Sequence, residues 1–170
     1  AISARQQLDG KLLVLGDCGG RSCIFRINQD GSLDTQFGQL GYYLSSTNSC
    51  QPADIVLQSA GDILLLSICS LQGVVSRIST QGIVDSTFGV AGAVAVSTSW
   101  TYAMAIALDS DSNVYVGGIC GNPSAATAPT KVFCIWKSNA EHRITTERQP
   151  QNIQHHNPKH PRRRYLRCSA

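Results

Sequence analysis

Residues 30–38 read Asp30-Gly31-Ser32-Leu33-Asp34-Thr35-Gln36-Phe37-Gly38, and residues 81–89 read Gln81-Gly82-Ile83-Val84-Asp85-Ser86-Thr87-Phe88-Gly89. The two stretches lie 51 positions apart, so Gly31, Asp34, Phe37 and Gly38 recur as Gly82, Asp85, Phe88 and Gly89. The same offset carries Gly10 to Gly61, Arg26 to Arg77, Gly41 to Gly92, and Cys18 to Cys69 and on to Cys120. A fixed period of this length marks tandem copies of one supersecondary unit, and it outranks any domain guess made from length. The eight recurring Gly, Asp and Phe positions therefore read as structural.

Outward from that string, each copy reads as four short strands. The first covers residues 2–6, 53–57 and 104–108. A tight turn leads to an apolar run at 12–15, 63–66 and 114–116, of the kind that suits a strand buried on both faces. The third covers 23–27, 74–78 and 133–137, and a fourth, more exposed strand starts at Gly41 and Gly92. No segment keeps a helical period. Short strands with Gly-rich turns between them give an all-β class. Four antiparallel strands per repeat is the blade of a β-propeller. A β-sandwich needs no strict repeat, and a solenoid coil is about half this long.

The string Leu8-Asp9-Gly10-Lys11-Leu12-Leu13-Val14-Leu15-Gly16, followed by Phe25-Arg26-Ile27-Asn28 and by residues 30–38, resembles the delta-60 repeat of secreted bacterial β-propeller proteins. Those repeats carry the pattern QPDGKILVAG … RYNADGSLDTTFG. The likeness runs over residues 1 to about 140, close in the first copy and looser in the second, where Gln81 replaces Asp30 and Asp62 replaces Lys11. The third copy keeps only its first half. The resemblance implies a fold and an exported location, and it supplies no catalytic residue.

At 51 residues per repeat, a chain of 170 holds about three blades: 1–51, 52–102 and a truncated 103–140. Closed propellers use about four to eight, so the expectation is an incomplete propeller with raw edges that invite pairing with other chains. The chain starts without Met, inside a strand, and reads as a fragment. No apolar segment is long enough to span a membrane as a helix.

The net charge of +3 conceals two regions. Residues 1–140 carry seven Lys/Arg against nine Asp, with no His and no Glu. Residues 141–170 carry seven Lys/Arg, both glutamates and all four histidines (His142, His155, His156 and His160). No glycine follows Gly121 and no aspartate follows Asp111. This basic Pro/His/Arg-rich tail has three readings: an out-of-frame or spliced end, a genuine disordered segment, or a functional arm. In the last, His155, His156 and His160 would bind a divalent metal, or Arg162 to Arg164 nucleic-acid phosphates. The loss of the repeat in mid-motif favours the first. The tail, 141–170, is expected to lack a packed core and not to complete blade three, and a short helix over 140–148 fits its lack of Gly and Pro.

Seven cysteines suit an oxidising compartment. The register of the repeat pairs Cys18 with Cys23, Cys50 with Cys69, and Cys120 with Cys134, leaving Cys168 over. The Cys120–Cys134 loop has grown by nine residues relative to its counterparts. Buried free thiols are the competing reading. A zinc site lacks both a Cys-x-x-Cys pair and a histidine within the repeats.

Other chemistry is weak. Asp109-Ser110-Asp111-Ser112-Asn113 opens like a calcium loop, but Val114 stands where glycine is needed and no Glu closes it. Arg26, Arg77 and Lys137 recur, as residues that snorkel or pair with a neighbouring Asp would. Trp100 and Trp136 share no repeat position, so packing is their default role. With no His or Glu in 1–140, no nucleophile elbow and no phosphate loop, the sequence predicts no catalytic residue, no cofactor and no metal. It predicts a secreted or cell-surface (periplasmic/extracellular) scaffold or binding module for a protein or glycan partner, and not for nucleic acid. The alternative is a piece of a propeller enzyme, sugar dehydrogenase- or lactonase-like, whose catalytic residues lie in other blades.

Overall fold

The computed structural model describes residues 1–96, 101–120, 132–138 and 144–145. These form three antiparallel four-stranded sheets, each contiguous in sequence. Blade one contains β1 (Ser3–Gln6), β2 (Leu12–Asp17), β3 (Ser22–Ile27) and β4 (Tyr42–Leu44) in that order. Blade two contains β5 (Cys50–Leu57), β6 (Ile63–Cys69), β7 (Gln72–Ile78) and β8 (Ala93–Ala95). Blade three contains β9 (Thr101–Leu108), β10 (Val114–Cys120), β11 (Val132–Ser138) and β12 (Ile144–Thr145). This is the β-propeller architecture, incomplete and not closed.

The sequence period is also the period of the hydrogen-bond register. Ser3 faces Leu15, Asp54 faces Leu66 and Ala105 faces Gly117. Leu13 faces Arg26, Leu64 faces Arg77 and Tyr115 faces Lys137. Even the irregularities repeat. Ala53 and Met104, 51 apart, are each the extra residue of a bulge in the first strand of a blade. A bulge twists and bends its strand, so a repeated bulge keeps the blades alike in shape.

Alternation along each strand sends side chains to opposite faces, and both faces of a central blade are covered. One core joins blades one and two: Leu13, Leu15, Ile24, Phe37 and Tyr43 pack on Ile55, Ile63, Leu65 and Ile78. The other joins blades two and three: Leu64, Leu66, Val75, Phe88 and Val96 pack on Ala103, Ile106, Val114, Val116 and Trp136. Each blade thus has an incoming face toward its predecessor and an outgoing face toward its successor. The run in β6 is buried on both faces, as expected. The run in β2 is not, because Leu12 on the incoming side is 42% exposed. Blade one has no neighbour there among the described residues.

Several expectations need correcting. The strands outrun their apolar runs, because backbone pairing continues toward the turn: β6 reaches Cys69 and β10 reaches Cys120. In blade one the fourth strand is less exposed than expected, since alternation buries Tyr43 in the core, whereas β8 in blade two is half-buried to exposed. Two residues of the tail pair as β12 with β11, Ser138 facing Ile144 and Lys137 facing Thr145. That excludes a helix across 144–145. Yet β12 is not the counterpart of β4 and β8. In blades one and two the bridges Ile27–Leu33 and Ile78–Val84 have the same six-residue spacing as Ser138–Ile144. Ile144 therefore occupies the place of Leu33 and Val84, ahead of where an outer strand begins. The rest of the tail, including its histidines, Arg162 to Arg164 and Cys168, lies outside the described residues, as does Trp100.

Candidate functional site

The recurring Asp-x-x-Phe-Gly string builds a corner on the outgoing side of the blade. Asp34 closes the turn after β3: its backbone N–H bonds to the Arg26 carbonyl at 2.9 Å, and Phe37 N–H returns to the Asp34 carbonyl at 3.1 Å. Its side chain is buried and takes two cations, Lys11 Nζ and Arg26 Nε, each at 2.7 Å from Oδ2. The Lys11 hydrogen bond, against the opposing effect of burial and helped by Gln36 N–H and Arg26, holds the Asp34 carboxyl below the usual carboxylate range. In blade two, Arg77 Nε binds Asp85 Oδ2 at 2.7 Å. There the Thr87 hydroxyl and N–H are the chief reasons that the Asp85 carboxyl is held low. Each guanidinium also covers the ring of its own corner, Arg26 over Phe37 at 4.7 Å and Arg77 over Phe88 at 4.9 Å.

The corner is an assembly device. Arg26 Nη1 reaches across to the Thr80 carbonyl at 2.6 Å, and Gly38 N–H donates to the Gln81 carbonyl at 2.8 Å. Both acceptors belong to the turn before Gly82 in the next blade. A Cβ on Gly82 would stand 2.6 Å from Gly38 N and 3.0 Å from the Phe37 ring. The glycine is there because two backbones meet. Asp34, Phe37 and Gly38 of one blade and Gly82 of the next are thus brought together, while Asp85, Phe88 and Gly89 form the equivalent corner one blade on.

A second polar cluster was not legible in the sequence. The first strands of successive blades lie side by side, and Asp54 sits between them. Ser3 Oγ donates to Asp54 Oδ1 at 2.8 Å, Arg5 Nη2 binds the same oxygen at 2.9 Å, and Ile106 N–H approaches Oδ2 at 3.4 Å. The signal was present as a departure from the repeat: position 54 is Ser3 in one copy and Ala105 in another. The cluster joins three blades at their first strands, and Arg5 is its solvent-facing member.

The cysteines staple the opposite end of the sheets. Cys18 and Cys23 are bonded, with Cα atoms 5.9 Å apart, and so are Cys50 and Cys69, at 4.2 Å. Cys50 and Cys69 face each other directly across β5 and β6. Cys18 and Cys23 are instead diagonal: Cys23 faces Gly16, which lacks a Cβ, and Cys18 N–H bonds to the Arg21 carbonyl. Cys134 is also disulfide-bonded and faces Gly118, the counterpart of Gly16; the side chain of Cys120 lies outside the described residues. Beside these staples, Ser22 Oγ bonds to the Cys50 carbonyl and to Ser67 Oγ, all three buried, and Arg21 binds the Ser45 carbonyl. The blade-one hairpin is thereby tied to the start of β5.

The weaker candidates resolve into structure. Asp109 closes its own turn through Asn113, Asp111 and the Tyr115 hydroxyl, and the Asn113 bonds hold its carboxyl low. Trp136 is a core residue between blades two and three. Among the described residues there is no group of three or more His, Cys, Asp or Glu side chains placed to hold a metal, and no helix is long and apolar enough to cross a membrane.

Residues 7–37 match the family described as "Domain of unknown function (DUF5122) beta-propeller". No curated protein matches the chain in sequence. Among solved structures, it is similar to a protein of unknown function from Bacteroides caccae, at 20% identity and a TM-score of 0.51. The match covers 84% of this chain and 43% of that one, so the chain spans less than half of its structural neighbour. At that identity the likeness concerns fold. The described chain is an open β-propeller arc whose first repeat is similar to a propeller family of unassigned role.

Proposed function

We propose that the chain is a non-catalytic propeller scaffold of delta-60 type, working in a secreted or cell-surface setting and presenting its strand ends and loops to a protein or glycan partner. The observation that carries this reading is where the ionisable groups of the blades are used. Asp34, Asp85, Arg26 and Arg77 are engaged in the corners, and Asp54 and Arg5 between first strands. Arg26, Arg5 and Asp54 bond across blades, and Asp34, Asp85 and Arg77 brace their own corners, instead of converging on a reacting atom. The disulfides Cys18–Cys23 and Cys50–Cys69 support an oxidising compartment.

The test uses the oxidised chain. Saturable binding to a glycan array or to intact bacterial surfaces is expected, lost when the disulfides are reduced. No turnover is expected in dye-linked aldose oxidation or lactone hydrolysis. Saturable turnover that persists through repurification would replace this reading with the propeller-enzyme alternative. Absence of binding on both surfaces would remove the binding-module role.

A further inference from the structure

We propose that the Cys18–Cys23 bond is a redox-controlled latch on the joint between blades one and two. It holds the hairpin loop that covers Cys50, so opening it makes Cys50–Cys69 reducible and frees the start of β5. The device goes beyond the scaffold role and requires no partner. It rests on where the two bonds meet. Each joins a half-buried cysteine to a buried one: Cys18 to Cys23, which is 0% exposed, and Cys69 to Cys50, which is 2% exposed.

The loop between β2 and β3 lies against Cys50. Cys50 N–H donates to the Gly20 carbonyl at 3.1 Å, Arg21 and Cys50 form a parallel bridge, and the Ser22 hydroxyl donates to the Cys50 carbonyl at 3.0 Å. Arg21 Nε donates to the Ser45 carbonyl at 2.6 Å and Ser45 N–H to the Ser22 carbonyl at 2.9 Å, so the chain leading into β5 is held as well. The loop itself is costly to order. Gly19 and Gly20 both have left-handed backbones, at φ +70° and +80°, and glycine loses the most freedom on ordering. The disulfide closes this turn across a separation of 5. Blade two is built differently: Gly73 and Val74 stand where Ser22 and Cys23 stand. A Cβ on Gly73 would lie 2.9 Å from that of Ala103 in β9, so that joint is closed by packing. Of these two joints, the first is the one that runs through a stapled loop.

Reduction by a dithiol balances in two exchange steps. One thiolate attacks Cys18 Sγ, the Cys18–Cys23 bond breaks, and Cys23 leaves as a thiolate that takes a proton from water. The second thiol of the reductant attacks the mixed disulfide and releases Cys18, and the reductant departs oxidised to its own disulfide. The two bonds differ in how they open. Cys18 lies beyond the end of β2, beside exposed Gly19, with nothing within 4 Å of a Cβ built on Gly19 or Gly20. A local opening of this turn uncovers its bond. Cys69 is paired on both sides, to Cys50 and to Gln72. Its leaving group, Cys50, is shut under the loop, where burial disfavours the thiolate. Once the loop lets go, Cys50 leaves into water. The coupling runs one way. With Cys50–Cys69 broken, β5 stays paired to β6 from Gln51 to Leu57, and the loop keeps its dock.

The experiment follows each bond separately. The full oxidised chain is treated with dithiothreitol, samples are quenched by alkylation at intervals, and the alkylated peptides are read by mass spectrometry. Cys18–Cys23 is expected to open first. With Cys18→Ser and Cys23→Ser together, folding being checked by circular dichroism, Cys50–Cys69 should be reduced at least about tenfold faster than in the parent chain. Arg21→Gln keeps both bonds and removes the hold on Ser45, so it should speed Cys50–Cys69 by about threefold. It decides the matter alone where the double variant does not fold. With Cys50→Ser and Cys69→Ser together, Cys18–Cys23 should keep its rate within about twofold. An unchanged Cys50–Cys69 rate in the folded loop variant overturns the proposal. So does Cys50–Cys69 opening first, or equal acceleration in both directions, which loss of global stability would give.

Discussion

A side chain at position 82 has no room, whereas one at position 31 has, although the two glycines are the same residue of the repeat. Both have a left-handed backbone, at φ +81° and +85°. Gly31→Ala should lose only the conformational cost, about 1 kcal/mol. Gly82→Ala adds a collision with Gly38 N and should lose more than about 2 kcal/mol. Urea unfolding of the oxidised variants checks both values, and equal losses would remove the close approach as the reason for the glycine. At the same corner, Asp34 and Asp85 have folded pKa values below the unfolded 3.8. The sign follows: their contribution is full above the unfolded value and is lost as pH falls through the folded one. Stability should therefore drop between about pH 5 and pH 2, and Asp34→Asn should flatten that drop while lowering stability at neutral pH. An unchanged pH profile in Asp34→Asn would take Asp34 out of the account. The sequence showed that Asp34 and Gly82 matter, through their recurrence. It could not show that Gly82 makes room for Gly38 of the preceding blade, or that Asp34 holds the Arg26 that reaches Thr80 of the next, because contacts between blades leave no mark in one copy's pattern.

Strands and staples were the most legible level. The 51-residue offset predicted the three sheets, and the observed registers repeat at that offset. The limits of the reading have physical causes. Apolar runs mark where side chains are buried, and backbone pairing extends past them. A fourth strand was judged by its flanking glycines, and burial of Tyr43 depends on the core it meets. Ile144–Thr145 defied the compositional argument because two residues need only backbone bonds to pair with β11. The disulfides allow a prediction at this scale. Replacing Cys50 and Cys69 with serine opens a longer loop than replacing Cys18 and Cys23, the separations being 19 and 5. The chain-entropy model gives losses of about 3 and about 2 kcal/mol. Denaturant midpoints of the two double mutants should fall in that order, and the reverse order would show that hairpin packing outweighs chain entropy here.

Over the whole molecule, blade two is the keystone of the arc, since its two faces feed both cores. Leu64 and Leu65 are neighbours in β6, yet one belongs to the core with blade three and the other to the core with blade one. Either leucine replaced by alanine should lose about 2–5 kcal/mol. Amides of β6 should exchange with deuterium more slowly than those of β2 or β10, each of which lies in a blade with one face uncovered among the described residues. Faster exchange in β6 would mean that the blades open independently. The contact between Gly38 and Gly82 has one more consequence, for the gene. The joint is made by residues that recur at a fixed offset, and any copy that keeps them can follow any other. Unequal recombination that removes or inserts whole multiples of 51 codons would therefore deliver a chain whose new joint is built like the old ones, so blade number can drift across generations without the joint being reinvented.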